Sequence, residues 1–247
     1  MSQPASVLDA IEAVRRALRE EPRLGPGFAL SRIEMEGDGV LALEGNVARL
    51  AQKKLALLHA AKVPGVTEVI DRLHVIARAP ADDRHIRAQM RELFAQDGNF
   101  SDFQIREDVA EGVVPTAFKP VTGGAAGCID IEVNDGIVTL NGTVPTLVHK
   151  RLAGVMAWWN PGVRDVVNGI AVEPGEEDSP DQIEEAVRVA LDRNPAIEAG
   201  QIKVGVRGRI VRLTGLMQSG AARQVAENDA WATFGVDDVI NEIEVRP

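Results

Sequence analysis

The chain has 247 residues, 45% apolar and 26% charged, which are the proportions of a globular protein able to bury real cores. A formal net charge of −10 opposes general attraction to nucleic acid, whose affinity rests on neutralising phosphate, and the one cysteine, Cys128, excludes an internal disulfide and a thiolate-rich zinc site. No stretch approaches the roughly 18 apolar residues of a membrane span, and the opening MSQPASVLDAIEAV lacks the basic and apolar regions of an export signal, so the expected compartment is the cytoplasm.

In chain order, Val7, Ile11, Val14 and Leu18 form the apolar stripe of a leading helix. RIEME (Arg32 to Glu36) alternates as a strand, and Asp38-Gly39 supplies a tight turn into a second strand, VLALEG. Helical spacing follows and closes at Gly65, where glycine is expected to cap a helix in the left-handed conformation. A last strand runs to Val75.

The same order then repeats. Gly39 to Val75 aligns without a gap on Gly136 to Val172 and on Arg209 to Val245, 37 columns each, with 14 identities between the first and second and 14 between the second and third. Eight columns hold one residue in all three: Leu43, Gly45, Ala56, Ala60, Gly65, Val66, Val69 and Val75 in the first copy. The second leading helix carries Ile86, Met90 and Leu93; the third carries Ile183, Val187 and Leu191 and starts at a capping box, Ser179-Pro180-Asp181-Gln182. Gly162 and Gly235 are expected to cap the later helices as Gly65 does.

The fold class expected is therefore α+β: three tandem αββαβ units, each a small three-stranded mixed sheet with two helices on one face, over 1–78, 79–173 and 174–247. Alanines one turn apart (Ala56/Ala60, Ala153/Ala157, Ala226/Ala230) let each second helix lie close on its sheet. The middle unit is longer by some 22 to 24 residues, placed as a surface loop or loose hairpin across about 108–127.

The pattern carried by Gly136, Val138, Leu140, Gly142 and Val144, then Ala153 and Ala157, then Gly162, Val163, Val166, Asn168, Ile170 and Val172 resembles the BON domain, the bacterial osmotically-inducible and nodulation module. Asp71, Arg209 and Met217 depart from it mildly. The resemblance implies an αββαβ fold, a bacterial source, no catalysis and no cofactor. It also implies membrane-associated or binding roles, since relatives are described as phospholipid-binding and others join the module to ligand-sensing domains.

Nothing in the residues contradicts a non-catalytic module. The histidines His59, His74, His85 and His149 share no metal-ligand spacing and are expected at the surface, and Cys128 is expected as a small buried residue. GGAAG (Gly123 to Gly127) lacks the lysine and setting of a phosphate loop. Asp71, Asn168 and Asn241 occupy one column on an apolar strand face, where a polar side chain must bond neighbouring backbone or a ligand. Trp158 and Trp231 share another column and suit a core or a contact between units; Trp159 suits a contact surface.

Charge separates the three copies. Residues 1–78 hold 11 Lys/Arg against 10 Asp/Glu, residues 79–173 hold 8 against 13, and residues 174–247 hold 8 against 14. Only the first third can meet an anionic surface without opposing it. The candidate lipid- or partner-binding residues are accordingly Arg49, Lys53, Lys54 and Lys62, with Phe118 and Lys119 in the insertion and Trp159 in the middle unit. The leading function is a binding or adaptor protein for phospholipid surfaces or envelope-linked protein partners. The alternative is a cytoplasmic stress protein that senses a small ion or metabolite, whose units lock together on binding.

Overall fold

The computed structural model describes residues 7–107, 116–119 and 124–246, with backbone alone for 116–119. The first repeat runs α1 (Val7–Glu20), β1 (Arg32–Gly37), β2 (Val40–Val47), α2 (Leu50–Ala61) and β3 (Glu68–Val75). The middle repeat runs α3 (Asp83–Gln96), β4 (Phe103–Glu107), β5 (Thr116–Lys119), β6 (Gly127–Asn134), β7 (Ile137–Val144), α4 (Leu147–Trp159), β8 (Asp165–Asn168) and β9 (Ala171–Val172). The third runs α5 (Pro180–Arg193), β10 (Ile202–Arg207), β11 (Ile210–Met217), α6 (Gly220–Ala232) and β12 (Asp238–Val245).

The first and third repeats have the expected topology. Their sheets are ordered β1-β2-β3 and β10-β11-β12, an antiparallel hairpin followed by a parallel strand beyond the second helix. Strand parity explains which face holds the core: Val211, Leu213 and Met217 of β11 are buried beneath the helices, while Arg212 points away and pairs with Glu242. The spaced alanines lie where they are needed, since Ala56, Ala60, Ala153, Ala157, Ala226 and Ala230 are all fully buried.

The middle sheet departs from three strands. Part of the insertion is ordered as a β4–β5 hairpin, and β4 pairs parallel to the free edge of β6, giving the order β5-β4-β6-β7-β8 with β9 also on β7. The added strand is held by its alternation, because Phe103 and Ile105 are buried against Phe100 and Ile129. Residues 108–115 and 120–123 of the expected loop lie outside the described residues.

The leading-helix stripe is also shifted from expectation. Ala10, Val14 and Leu18 are buried while Val7 is 56% exposed, and the middle helix buries Phe94 rather than Leu93. A three-step of i, i+4, i+8 thus faces each sheet: Ala10–Val14–Leu18, Ile86–Met90–Phe94 and Ile183–Val187–Leu191. Ser179 caps the helix as expected, its hydroxyl accepting from the Gln182 amide at 3.4 Å, but the reciprocal half of the capping box is missing, because Gln182 Oε1 has no partner among the described residues and its Nε2 donates to Glu176.

The glycines closing the second helices do another job than capping. α2, α4 and α6 stop at Ala61, Trp159 and Ala232, and the glycines follow in four-residue turns closed by Val66, Val163 and Val236 amides on Val63, Asn160 and Thr233 carbonyls. Gly65 and Gly235 sit at the third position with φ of 93° and 92°, as a type II turn requires. Gly162 makes its turn without that φ and is needed for space, because a Cβ there would crowd the Ala81 side chain.

By contact the chain forms two compact units, Met1–Ile76 and Ala77–Pro247. The second holds the middle and third repeats packed through α4, α5 and α6. Among the described residues, no helix is long and apolar enough to cross a membrane.

Candidate functional site

Each second helix is tied to its own last strand by the polar column. In the middle repeat, Asn168 Nδ2 donates to the Lys150 carbonyl at 2.7 Å and Oδ1 accepts from the Ile170 amide at 3.4 Å. Asn241 does the same in the third, donating to the Arg223 carbonyl at 3.2 Å and accepting from the Ile243 amide at 3.2 Å. The polar residues on an apolar face are therefore satisfied by backbone. Aspartate cannot donate, so the first repeat changes the device: Lys53 turns inward, is 5% exposed, and places Nζ 2.9 Å from Asp71 Oδ2 and 2.6 Å from the Leu73 carbonyl. Asn168→Asp should set a carboxylate against the Lys150 carbonyl and lower stability by about 1–3 kcal/mol, measured by urea unfolding. Asp71→Asn, which takes the counter-charge from a buried ammonium, should cost a similar amount.

Lys53 is thus a strut of the first repeat rather than a surface cation. Its neighbours point outward. Arg49, at the amino end of α2, and Lys62, just past its carboxyl end, are exposed, and Lys54 is half-buried on the same helix. No acidic residue occurs between Asn46 and Thr67, so α2 itself contributes basic charge and no acid to its outer face. Beside Lys54 it shows Leu57 and Leu58, half-buried, and Ala61, exposed.

The matching face of α4 is covered. Arg151, in the column of Lys54, is 0% exposed; its Nε donates to the Phe234 carbonyl at 2.8 Å and its NH2 to Asp178, both in the third repeat. Lys150 Nζ stands 5.0 Å from the centroid of the Phe234 ring, and burial lowers its pKa from the ordinary lysine value, with the Arg151 charge adding to the effect. Trp159, in the column of Lys62, is half-buried and donates its indole N–H to Asp229 Oδ1 at 2.9 Å. Asn194 Nδ2 donates to the other carboxylate oxygen at 2.7 Å. Trp159 is therefore a contact residue, and its partner is the third repeat of the same chain. Trp231 is buried in that repeat's core.

The remaining candidates are not brought together with these. Phe118 and Lys119 lie on β5, where the backbone alone is described, so their side chains fall outside the described residues. Cys128 is half-buried, not a core residue: strand parity puts it on the sheet face away from the helices, 3.5 Å from Arg106 NH2. Arg106 also forks onto Asp130.

Two histidines differ from the surface placement expected, while His85 is exposed as expected. His149 packs against the Phe100 and Phe103 rings and holds Thr146 Oγ1 at 2.7 Å, and burial pushes its imidazole below the ordinary value. His59 is 2.9 Å from Glu21, a nearly buried carboxylate drawn down to about 2 by its hydrogen bond to Arg23. Only chain contacts between distant elements reveal these two positions.

Two open clefts of about 530 and 300 Å³ lie on the middle repeat. The larger one holds Asp82, Asp83, Asp135 and Arg164, but each is engaged: Asp82 accepts from the His85 amide, Asp83 from the Asp135 and Gly136 amides, and Arg164 pairs with Asp135. Among the described residues, no group of three or more His, Cys, Asp or Glu is placed to hold a metal ion.

A sequence profile of the BON domain matches residues 8–77, 125–174 and 179–247, three segments that together span most of the chain. The chain belongs to the BON domain family. Each match falls within one repeat, and the gap before residue 125 holds the leading helix α3 together with β4 and β5, the strands that only the middle BON repeat adds. No curated protein matches. Two solved structures of CdsD from Chlamydia trachomatis are similar: "the structural protein of the Type III secretion system", C-terminal domain, at 15% identity over 100% of both chains, and a second structure of the same protein at 16% identity over 97% of this chain and 93% of that one. Each has a TM-score of 0.25, too low a likeness for any argument about this BON protein.

Proposed function

We propose that this BON protein is a non-catalytic adaptor that meets an anionic phospholipid surface, such as that of a bacterial envelope, through the outer face of α2. One observation carries the proposal. The outer face of the second helix is the surface with which the middle repeat grips another domain, and the first repeat bears Arg49, Lys54 and Lys62 on the same helix, which has no acidic residue of its own. Membrane-associated roles described for BON domains support this. Each such basic residue contributes about 1 kcal/mol near an anionic bilayer, so three suffice for salt-sensitive, reversible association.

Flotation tests the proposal. The chain should rise with vesicles containing phosphatidylglycerol at low salt, stay behind with purely phosphatidylcholine vesicles, and release at high salt as the charges are screened. Lys54→Glu with Lys62→Glu should weaken anionic association at least about tenfold. Failure to float with anionic vesicles at low salt removes the proposal.

A further inference from the structure

We propose that the junction between the middle and third repeats closes with uptake of one proton, held on Asp229, so that the two repeats grip each other more tightly in acid. The device is a buried carboxyl group that bridges them without an ion-pair contact. Asp229, on α6, is 3% exposed and accepts from two neutral donors, Trp159 Nε1 of the middle repeat and Asn194 Nδ2 at the end of α5. Among the described residues no cation lies within ion-pair distance of it.

The charged groups facing it are otherwise committed. From the segment before α3, Arg78 gives NH2 to the carbonyls of Trp158 and Trp159 at 2.9 and 3.1 Å. From the end of α5, Arg193 approaches Asp97 at 3.9 Å. On α6 itself, Glu227 accepts from Asn241, and Thr233 donates its hydroxyl to the Asp229 carbonyl.

Burial raises the Asp229 pKa from the ordinary 3.8 to about 7, against the downward pull of Asn194, Trp159 and the Arg78 charge. When the repeats part, Trp159 leaves the carboxylate and water enters, so its value moves back toward the ordinary 3.8. The closed state thus has the higher pKa. Its proton-linked advantage is complete below about 4, falls about tenfold in the closing equilibrium for each pH unit between there and about 7, and is gone above. Opening would free the α4 face that carries Arg151, Val155 and Trp158, the counterpart of the face α2 presents. The inference does not depend on lipid binding, and its test contains no vesicles.

Carbon-13 NMR of side-chain carboxyls in the full chain tests it. Asp229 should titrate with a midpoint near 7, and Trp159→Phe, which removes a donor to the anion, should move that midpoint higher. The urea midpoint of the wild type, taken relative to Asp229→Asn to cancel other groups, should fall as the pH rises from 4.5 to 7 and then level off. A midpoint near 4 overturns the proposal, as does a Trp159→Phe variant whose Asp229 titrates no higher than the wild type.

Discussion

Gly215→Val should unfold the third repeat or leave it about 3–5 kcal/mol less stable, the range of the most disruptive single substitutions. Gly215 lies on β11 with φ of 137°, and a Cβ there would sit well under 3.0 Å from the Gln201 carbonyl, backbone that cannot swing aside. Gly142 repeats the arrangement on β7, with φ of 110° and the Cys128 carbonyl as the obstacle. These are the second glycines of the G-x-V-x-L-x-G pattern, so the repeat retains them because the hairpin strands approach too closely there for a side chain. Gly205→Val is the control. Gly205 is also in a strand, of ordinary φ, and has nothing within 4 Å of its would-be Cβ, so valine there should change stability by less than about 1 kcal/mol. Urea unfolding followed by circular dichroism separates the two outcomes.

Arg151→Ala should cost about 2–4 kcal/mol and uncouple the middle repeat from the third. Arg151 is fully buried, and truncation leaves a cavity, an unpaired Phe234 carbonyl and Asp178 without its cation. Because Asp178 is 38% exposed, water recovers part of that last loss, which keeps the cost below that of a sealed ion pair. Arg151→Lys should rescue little, since a single ammonium nitrogen replaces the separate Nε and NH2 donors that meet the Phe234 carbonyl and Asp178. The signature to look for is a single calorimetric transition for residues 77–247 splitting into two as the repeats begin to melt separately. One undivided transition at unchanged temperature would contradict this account of the junction. The corresponding Lys54→Ala in the first repeat, on a half-buried side chain, should move stability by no more than about 1 kcal/mol.

The two kinds of position differ in how visible they were in the amino-acid string. Gly215 shows itself through recurrence, since it stands with Gly45 and Gly142 in a column that is glycine in every copy. Arg151 does not. It aligns with Lys54 and Gln224, and nothing local distinguishes a guanidinium sealed under a neighbouring domain from a solvated lysine. Lys53 presents the same difficulty, because two adjacent lysines read alike until Asp71, 18 positions along the sequence, is found beside one of them. The β4 strand was written in the alternation of Phe103 and Ile105, yet its place at the β6 edge required knowing that this edge was free. His149 became a partly buried ring only when Phe100 and Phe103 closed on it.

Leaving open whether the Asp71, Asn168 and Asn241 column bonds backbone or a ligand, the sequence by itself determined the αββαβ unit and its three copies. Those features follow from periodicities of two and 3.6 residues and from turn chemistry, which act over a few neighbours. Tertiary structure alone decided that α4 is covered, that Lys53 turns inward, and that Trp159 and Asn194 converge on Asp229. Such outcomes depend on how two surfaces made by distant segments match in shape and charge, and that matching leaves no periodic trace along the chain.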